Sequence, residues 1–278
     1  MKVNIIINQQ LPLTYIDVEV LDLLLKRRKE KLEIQYVNYL QYKCKNASMN
    51  IFVHCVNYSF MNNAKMNVLL MDHQLLNKNW LEYLPAFDYV LVKSEYTKAV
   101  IESACMEHKL STKNIKLINW DSPNIASYSK NKNNKKCLLY CTHNKSYIYK
   151  RVVNLWEKNY PQLVVLNVDN NMFFDNKKNK KFQENIDYCE EVKSVDYHKI
   201  FNECGIHLCL DEIVSYSHFI NQAKQVSAIP VAVNGGSNKE FINRDIGYVI
   251  GGSKQKNTTN TYGSKFNFNE EDLKRVIN

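Results

Sequence analysis

No run in this chain approaches the roughly 20 consecutive apolar residues that a membrane helix needs, so no membrane span is expected. No secretory leader is expected either, because Met1-Lys2-Val3-Asn4-Ile5-Ile6-Ile7-Asn8 is too short and too polar at its ends. Sequons such as Asn46-Ala47-Ser48 then carry no meaning, and the expected location is cytoplasmic. None of the 8 cysteines forms a C-x2-C pair, which argues against a zinc site. Cys204, His207 and Cys209 are close in sequence, but they lie on a candidate core strand and read as buried groups. Unpaired cysteines fit a reducing compartment. No D-x-D triplet occurs, so no metal site is implied. Glycine (7 residues), alanine and arginine are scarce while lysine and asparagine abound, a bias that an AT-rich genome produces through codon usage alone. That discounts the net charge of +9. A basic surface still favours an anionic partner: a nucleoside diphosphate, a lipid headgroup or a nucleic acid. Nucleic acid is the lesser candidate, because the lysines are scattered and no recognised binding motif is present.

What is present is alternation. Apolar runs at Val3–Ile7, Leu32–Val37, Asn50–Val56, Asn67–Met71 and Asp88–Lys93 predict strands. Helical spacing joins some of them, as over Ile16–Leu25, which Lys26-Arg27-Arg28 closes as the helix dipole prefers. Ser94 is an N-cap candidate for a further helix. Lys116–Trp120 ends this half. Ser127–Lys136 is polar, charged and aperiodic, and reads as a linker. Beyond it, Cys137–Tyr140 and Gln162–Val168 read as strands. Thr142–Tyr149 reads as a loop, Lys150 to Trp156 as a helix, and Tyr197–Cys204 as a helix. Lys177–Lys181 reads as a solvated basic tip. At 278 residues, two compact domains are the natural division: 1–126 and 137–278, each a doubly wound α/β sheet. The last helix, capped by Asn269, is free to return to the first domain.

The stretch Gly205–Glu240 is the most informative. Ile206, Leu208 and Leu210 alternate as on a core strand, Asp211–Ser217 is a polar turn, and His218–Val226 has helical spacing. Ile229–Val233 is a second β-branched run, broken at Asn234-Gly235-Gly236. This is a βαβ unit, and ligands of such sheets sit at the carboxyl ends of the strands, where helix N-termini point.

This stretch resembles the nucleotide-sugar-binding half of GT-B glycosyltransferases, in the large retaining, glycogen-synthase-like family. His218, Ala223, Ile229-Pro230-Val231 and Glu240 match its pattern of S-x-x-E-G-F-G-H-x-x-x-E-A, P-V and G-G-x-x-E. Asp88–Ser94 and the basic pair Lys150-Arg151, ahead of W-x-x-x-x-P, are similar to the family's later first-domain boundary and its phosphate-contacting pair. The two glutamates of its E-x7-E pattern fall here on Val214 and Gln222. The glycines flanking the aromatic Tyr216 fall on Ser215 and Ser217. The resemblance implies a GT-B fold of two Rossmann-like domains facing a cleft, with acceptor bound by 1–126 and nucleotide sugar by 137–278. It implies a retaining, metal-independent hexosyltransferase moving a sugar from a UDP- or GDP-sugar to a glycan or protein hydroxyl, with no cofactor. The loss of both glutamates motivates the alternative of an inactive nucleotide- or glycan-binding protein.

The candidate residues follow. Lys150 and Arg151 sit at an expected helix start, where cations oppose the dipole, so a bound diphosphate would account for them. Thr142, Ser215, Tyr216, Ser217 and His218 form the candidate phosphate-side turns, although a plain N-cap and turn explains the last four as well. Gln222 stands where the family holds the ribose, and can still hydrogen-bond without a charge. Val214 can do no polar work, and Glu212 could replace its glutamate only in a reshaped loop. Glu240 is equally a first-turn helix acid. Asp72-His73 ends a strand. A neutral histidine held by an aspartate can relay protons, but both side chains can serve only past the strand end.

Overall fold

The computed structural model describes residues 1–10, 12–28, 31–125, 133–140, 146–166, 184–189, 194–257 and 259–278. The chain divides into two compact units. Met1–Pro123 with Lys256–Ser264 makes the first, and Asn124–Gln255 with Lys265–Asn278 the second. Thr142 lies outside the described residues.

The first unit is built on six parallel strands: β1 (Lys2–Ile7), β2 (Glu33–Asn38), β3 (Ala47–Val53), β4 (Ala64–Leu70), β5 (Tyr89–Val92) and β6 (Ile115–Leu117), in the order β2-β1-β3-β4-β5-β6. Helix α1 (Pro12–Lys26) crosses from β1 to β2, and α2 (Glu95–Glu107) follows β5. The central strands β1, β3 and β4 end in continuously buried runs because both of their faces are covered. On one face Val3, Ile5 and Ile7 pack with Val18 and Leu21 of α1. On the other, Ile6, Phe52 and Leu69 pack with Ile101 and Ala104 of α2. Two 3-10 segments, Tyr58–Asn63 and Lys78–Ala86, take the place of full helices between strands.

The second unit repeats the plan with β7 (Asn133–Tyr140), β8 (Gln162–Leu166), β9 (Ile186–Cys189), β10 (Cys204–Cys209), β11 (Ile229–Val233) and β12 (Tyr248–Ile250), in the order β12-β11-β10-β7-β8-β9. Its helices are α3 (Ser146–Leu155), α4 (Ser194–Glu203), α5 (His218–Gln225), α6 (Asn238–Phe241) and α7 (Glu270–Ile277). A separate two-stranded sheet joins β13 (Gly252–Lys256) and β14 (Ser264–Phe268). This is the GT-B plan of two parallel α/β sheets. Strand order reverses at β1/β3 in the first unit and at β7/β10 in the second, the places where such sheets bind ligands.

Several expectations shift. Strand β7 begins at Asn133, inside the segment read as linker, because its first three residues project into solvent and need no apolar face. Helix α3 begins at Ser146, so Lys150 and Arg151 are mid-helix rather than at its start. The last helix does not return to the first unit: Leu273 and Ile277 fill the second unit's core, and 256–264 is the part that returns. Among the described residues no helix is long and apolar enough to cross a membrane.

Candidate functional site

At the carboxyl edge of β10, the Asp211–Ser217 turn is folded inward. Val214, Ser215, Tyr216, Ser217 and His218 are all buried. Ser217 caps α5, its Oγ accepting from the Ile220 N–H at 3.4 Å. The Tyr216 ring stands edge-on to His218 and to Phe241, both at 4.9 Å, and its hydroxyl accepts from Asn221. The Val214 carbonyl accepts from both the N–H and the Oγ of Ser237, at 3.3 and 3.1 Å. This bond pins the β10 turn to the Asn234–Gly236 turn after β11. Gly236, at φ +58, is one of the places where glycine is required. Val214 is thus buried, with its carbonyl committed to Ser237. Gln222 is also buried and accepts from the Tyr197 hydroxyl at 3.4 Å. Glu240 is exposed on α6. Glu212 is buried and holds the Tyr147 hydroxyl, whose pKa is pushed up by burial first and by that carboxylate second. Cys204, His207 and Cys209 are buried on β10, where the His207 ring bonds the Phe201 carbonyl and burial pushes the Cys204 thiol up to about 12.

The basic pair separates. Lys150 is exposed and no described residue pairs with it. Arg151 is engaged: Nε and Nη2 both donate to Glu270 Oε1 at 3.1 and 2.9 Å, Nη2 donates to the Phe268 carbonyl at 3.2 Å, and the guanidinium lies 4.1 Å from the Phe268 ring centre. A structural reason for Arg151 therefore exists, and it depends on α7, more than a hundred residues away.

The first unit's carboxyl edge carries a dense buried polar cluster. Lys93, just past β5, is fully buried, with Nζ 2.6 Å from Asp17 and 3.1 Å from Asp72. Burial alone would lower its pKa, but the two carboxylates outweigh that and hold it above the ordinary lysine value. Asp17, on α1, also accepts from Trp120 Nε1 at 2.7 Å and faces His54 Nε2 at 2.6 Å. His54 Nδ1 accepts from the Asp72 N–H at 3.2 Å, which turns Nε2 toward Asp17. His54 is held at φ +55, an uncommon backbone state for a residue with a side chain. Asp17, His54 and Asp72 bring three ligand atoms within 4.8 Å of one another. The Lys93 ammonium stands against both carboxylates of that group, so the cluster carries its own cation.

Asp72 and His73 lie beyond the end of β4, so both side chains can point inward. Asp72 faces Lys93. His73 Nδ1 meets Thr97 Oγ1 at 3.1 Å, and Thr97 is in turn bonded to Ser94, the cap of α2. Tyr96 stands edge-on to the His73 ring at 5.3 Å. Burial lowers the His73 pKa to about 4, against the smaller opposing pull of Asp72. Of the residues in this cluster, the sequence singles out Asp72 and His73 as candidates and Ser94 as a helix cap, but not Asp17, His54 or Lys93. Each missed residue follows or joins an apolar run, and nothing local says that three separate segments converge.

No family model matches this chain, and no curated protein matches it. Solved structures do. HepE from Anabaena, in complex with UDP and glucose, superposes with a TM-score of 0.59 at 11% identity, covering 90% of this chain and 86% of that one. A putative UDP-N-acetylglucosamine 2-epimerase from Listeria monocytogenes gives 0.56 at 12%, covering 99% and 86%. The lipopolysaccharide outer core galactosyltransferase WaaB, in its apo form, gives 0.57 at 9%, covering 90% and 85%. At such identities the likeness establishes the fold, which is GT-B.

Proposed function

We propose that this chain transfers a glycosyl group from a nucleoside-diphosphate sugar to an acceptor hydroxyl. The observation that carries this is the GT-B fold shared with HepE, whose two structures hold UDP with glucose and UDP-glucose, over 90% of this chain. The second unit binds the donor at the carboxyl edge of β10 and β11, through Ser215, Tyr216, Ser217, His218, Gln222 and Glu240, and we assign Thr142 to the same donor. The first unit binds the acceptor, a glycan or protein hydroxyl, with Asp72 and His73 as the acid–base pair. In the reaction the bond from the anomeric carbon to the diphosphate breaks and one to the acceptor oxygen forms. The acceptor's proton must leave, and the diphosphate's charge must be stabilised. Lys150 serves that charge directly without a metal ion. Arg151 can join only by exchanging Glu270 for phosphate, which its planar fork fits equally well. We assign the transfer to the retaining class, the donor to a UDP- or GDP-hexose, and the site of action to the cytoplasm.

A second reading has its own support: the epimerase neighbour, which covers 99% of this chain. Calorimetric titration with UDP, GDP and their hexose conjugates, followed by product analysis, separates the outcomes. Transfer predicts diphosphate release that depends on acceptor. Epimerisation predicts a changed sugar without acceptor, and a binding protein predicts affinity without either product. Because Lys150 is exposed, Lys150→Ala tests its role without disturbing the fold. One lost charge-assisted contact should weaken diphosphate binding by about 1.5–3 kcal/mol. Unchanged affinity in Lys150→Ala would remove it from the site.

A further inference from the structure

The chain between β13 and β14 belongs to the first unit, although both strands have their bases in the second. It is tied along the residues that follow β4. The Lys78 N–H donates to the Asn260 carbonyl at 3.1 Å, and the Tyr262 N–H donates to the His73 carbonyl at 3.3 Å. Asn260 Nδ2 donates to Asn77 Oδ1 at 3.0 Å, and Asn77 and Thr261 form an isolated antiparallel bridge. Gly263 then closes over the imidazole. It sits at φ +89, and a Cβ there would stand 2.5 Å from His73 Nε2, so only glycine fits. His73 has no exposed surface. What holds this segment is a few hydrogen bonds between exposed or half-exposed asparagines and main chain, with Tyr262 its apolar anchor against the first core. The next turn of chain is secured differently: the Phe266 N–H donates to the Glu212 carbonyl at 2.9 Å, and a Cβ on Gly235 would fall 2.7 Å from Phe266 Cβ. Thus a lightly held stretch is bounded by a firmly seated one.

Beneath it lies unused hydrogen-bonding capacity. Asp72 Oδ2 meets Lys93, but no described donor reaches the buried Asp72 Oδ1. A buried carboxylate oxygen in that state is the acceptor that an entering hydroxyl would satisfy.

We propose that Asn260–Gly263 is a lid over His73 that opens while both units stay folded, admitting a hydroxyl-bearing ligand to Asp72 and His73. The lid itself stands on the contacts above; only its purpose rests on the glycosyl-transfer reading. Failure of nucleotide binding would therefore strike that reading and leave the lid intact. The low pKa of His73 agrees with a closed lid, since its first cause is burial. The groups around the ring are Asp72 beside it, Lys93 through Asp72, Tyr96 and Thr97 from α2, and the lid backbone.

The test uses the full chain and no ligand. Histidine-selective NMR follows the titration of His73 in the wild type, in Gly263→Ala and in Asn260→Ala. The lid predicts titration near pH 4 in the wild type and a rise toward the free-histidine value of about 6.5 in Gly263→Ala, with a smaller rise in Asn260→Ala. Native-state hydrogen exchange gives the independent reading, which survives if Gly263→Ala fails to fold. The Tyr262 and Lys78 amides should exchange through an opening that denaturant barely accelerates, many-fold faster than Leu69 of β4. The proposal is overturned if those amides exchange only with global unfolding, or if His73 stays near pH 4 in folded Gly263→Ala.

Discussion

Lys93 is where burial and charge meet most sharply. An ammonium with no solvent contact is tolerable only because Asp17 and Asp72 face it. Removing one partner of such a group leaves uncompensated charge, at a cost of roughly 3–5 kcal/mol. Lys93→Met should therefore lower the urea-derived stability by about that much at pH 7. The deficit should shrink as the pH falls, because two carboxylates crowded without their cation take up protons more readily in the folded state. A pH-independent deficit would point instead to lost packing. His73 makes the opposite contribution. Its folded pKa of about 4 lies below the value of the unfolded chain, so between pH 6.5 and 4 the unfolded state binds the extra proton. Its stabilising term is complete above about pH 6.5 and is lost as the pH falls through 4, an effect of about 3 kcal/mol from the size of the shift. His73→Gln should flatten that acid limb of the stability curve; a slope equal to wild type would show that other groups carry it.

At the scale of elements, the strand-to-helix junctions decide which side chains are presented. Ser94 caps α2 by accepting from the Thr97 N–H at 3.1 Å, and its hydroxyl donates to the same Thr97 Oγ1 that holds His73. Ser94→Ala should cost about 1 kcal/mol in thermal or urea unfolding, and Ser94→Asp should recover most of it. The turn after β10 carries the reciprocal case. Val214 is inward and its carbonyl is committed to Ser237. Val214→Glu should bury a carboxylate without a partner and destabilise by several kcal/mol. Gln222→Glu, next to a tyrosine hydroxyl that can donate to it, should leave the melting temperature nearly unchanged. Both are read by calorimetry, and equal losses in the two variants would contradict the inward seat of Val214. The helical pattern of α5 was plain in its sequence, as was the Ser94 cap. The start of α3 was not, because Ser146–Tyr149 has no apolar period until its partners in the second core are known.

For the whole molecule, two separate cores mean that one transition need not report on both. A ligand that binds only the second unit stabilises that unit by mass action, about 2.7 kcal/mol at a hundredfold excess over the dissociation constant. With UDP, hydrogen exchange should slow in β10 and β11 while β3 and β4 stay as they were; protection confined to the first unit would relocate the donor site. Alternating apolar runs, read along the chain, were enough to determine two doubly wound parallel sheets and the two turns at the edge of β10 and β11. Parallel strands buried on both faces impose apolar runs on their central residues, so the pattern is legible in the order of residues along the chain. Tertiary structure alone decided that Asp17, His54, Asp72 and Lys93 form one cluster, that Arg151 is claimed by Glu270, and that Gly263 roofs His73. Those pairings join residues from about 20 to 190 positions apart. Their energies come from desolvated charge and close approach, which exist only once the sheets have brought the segments together.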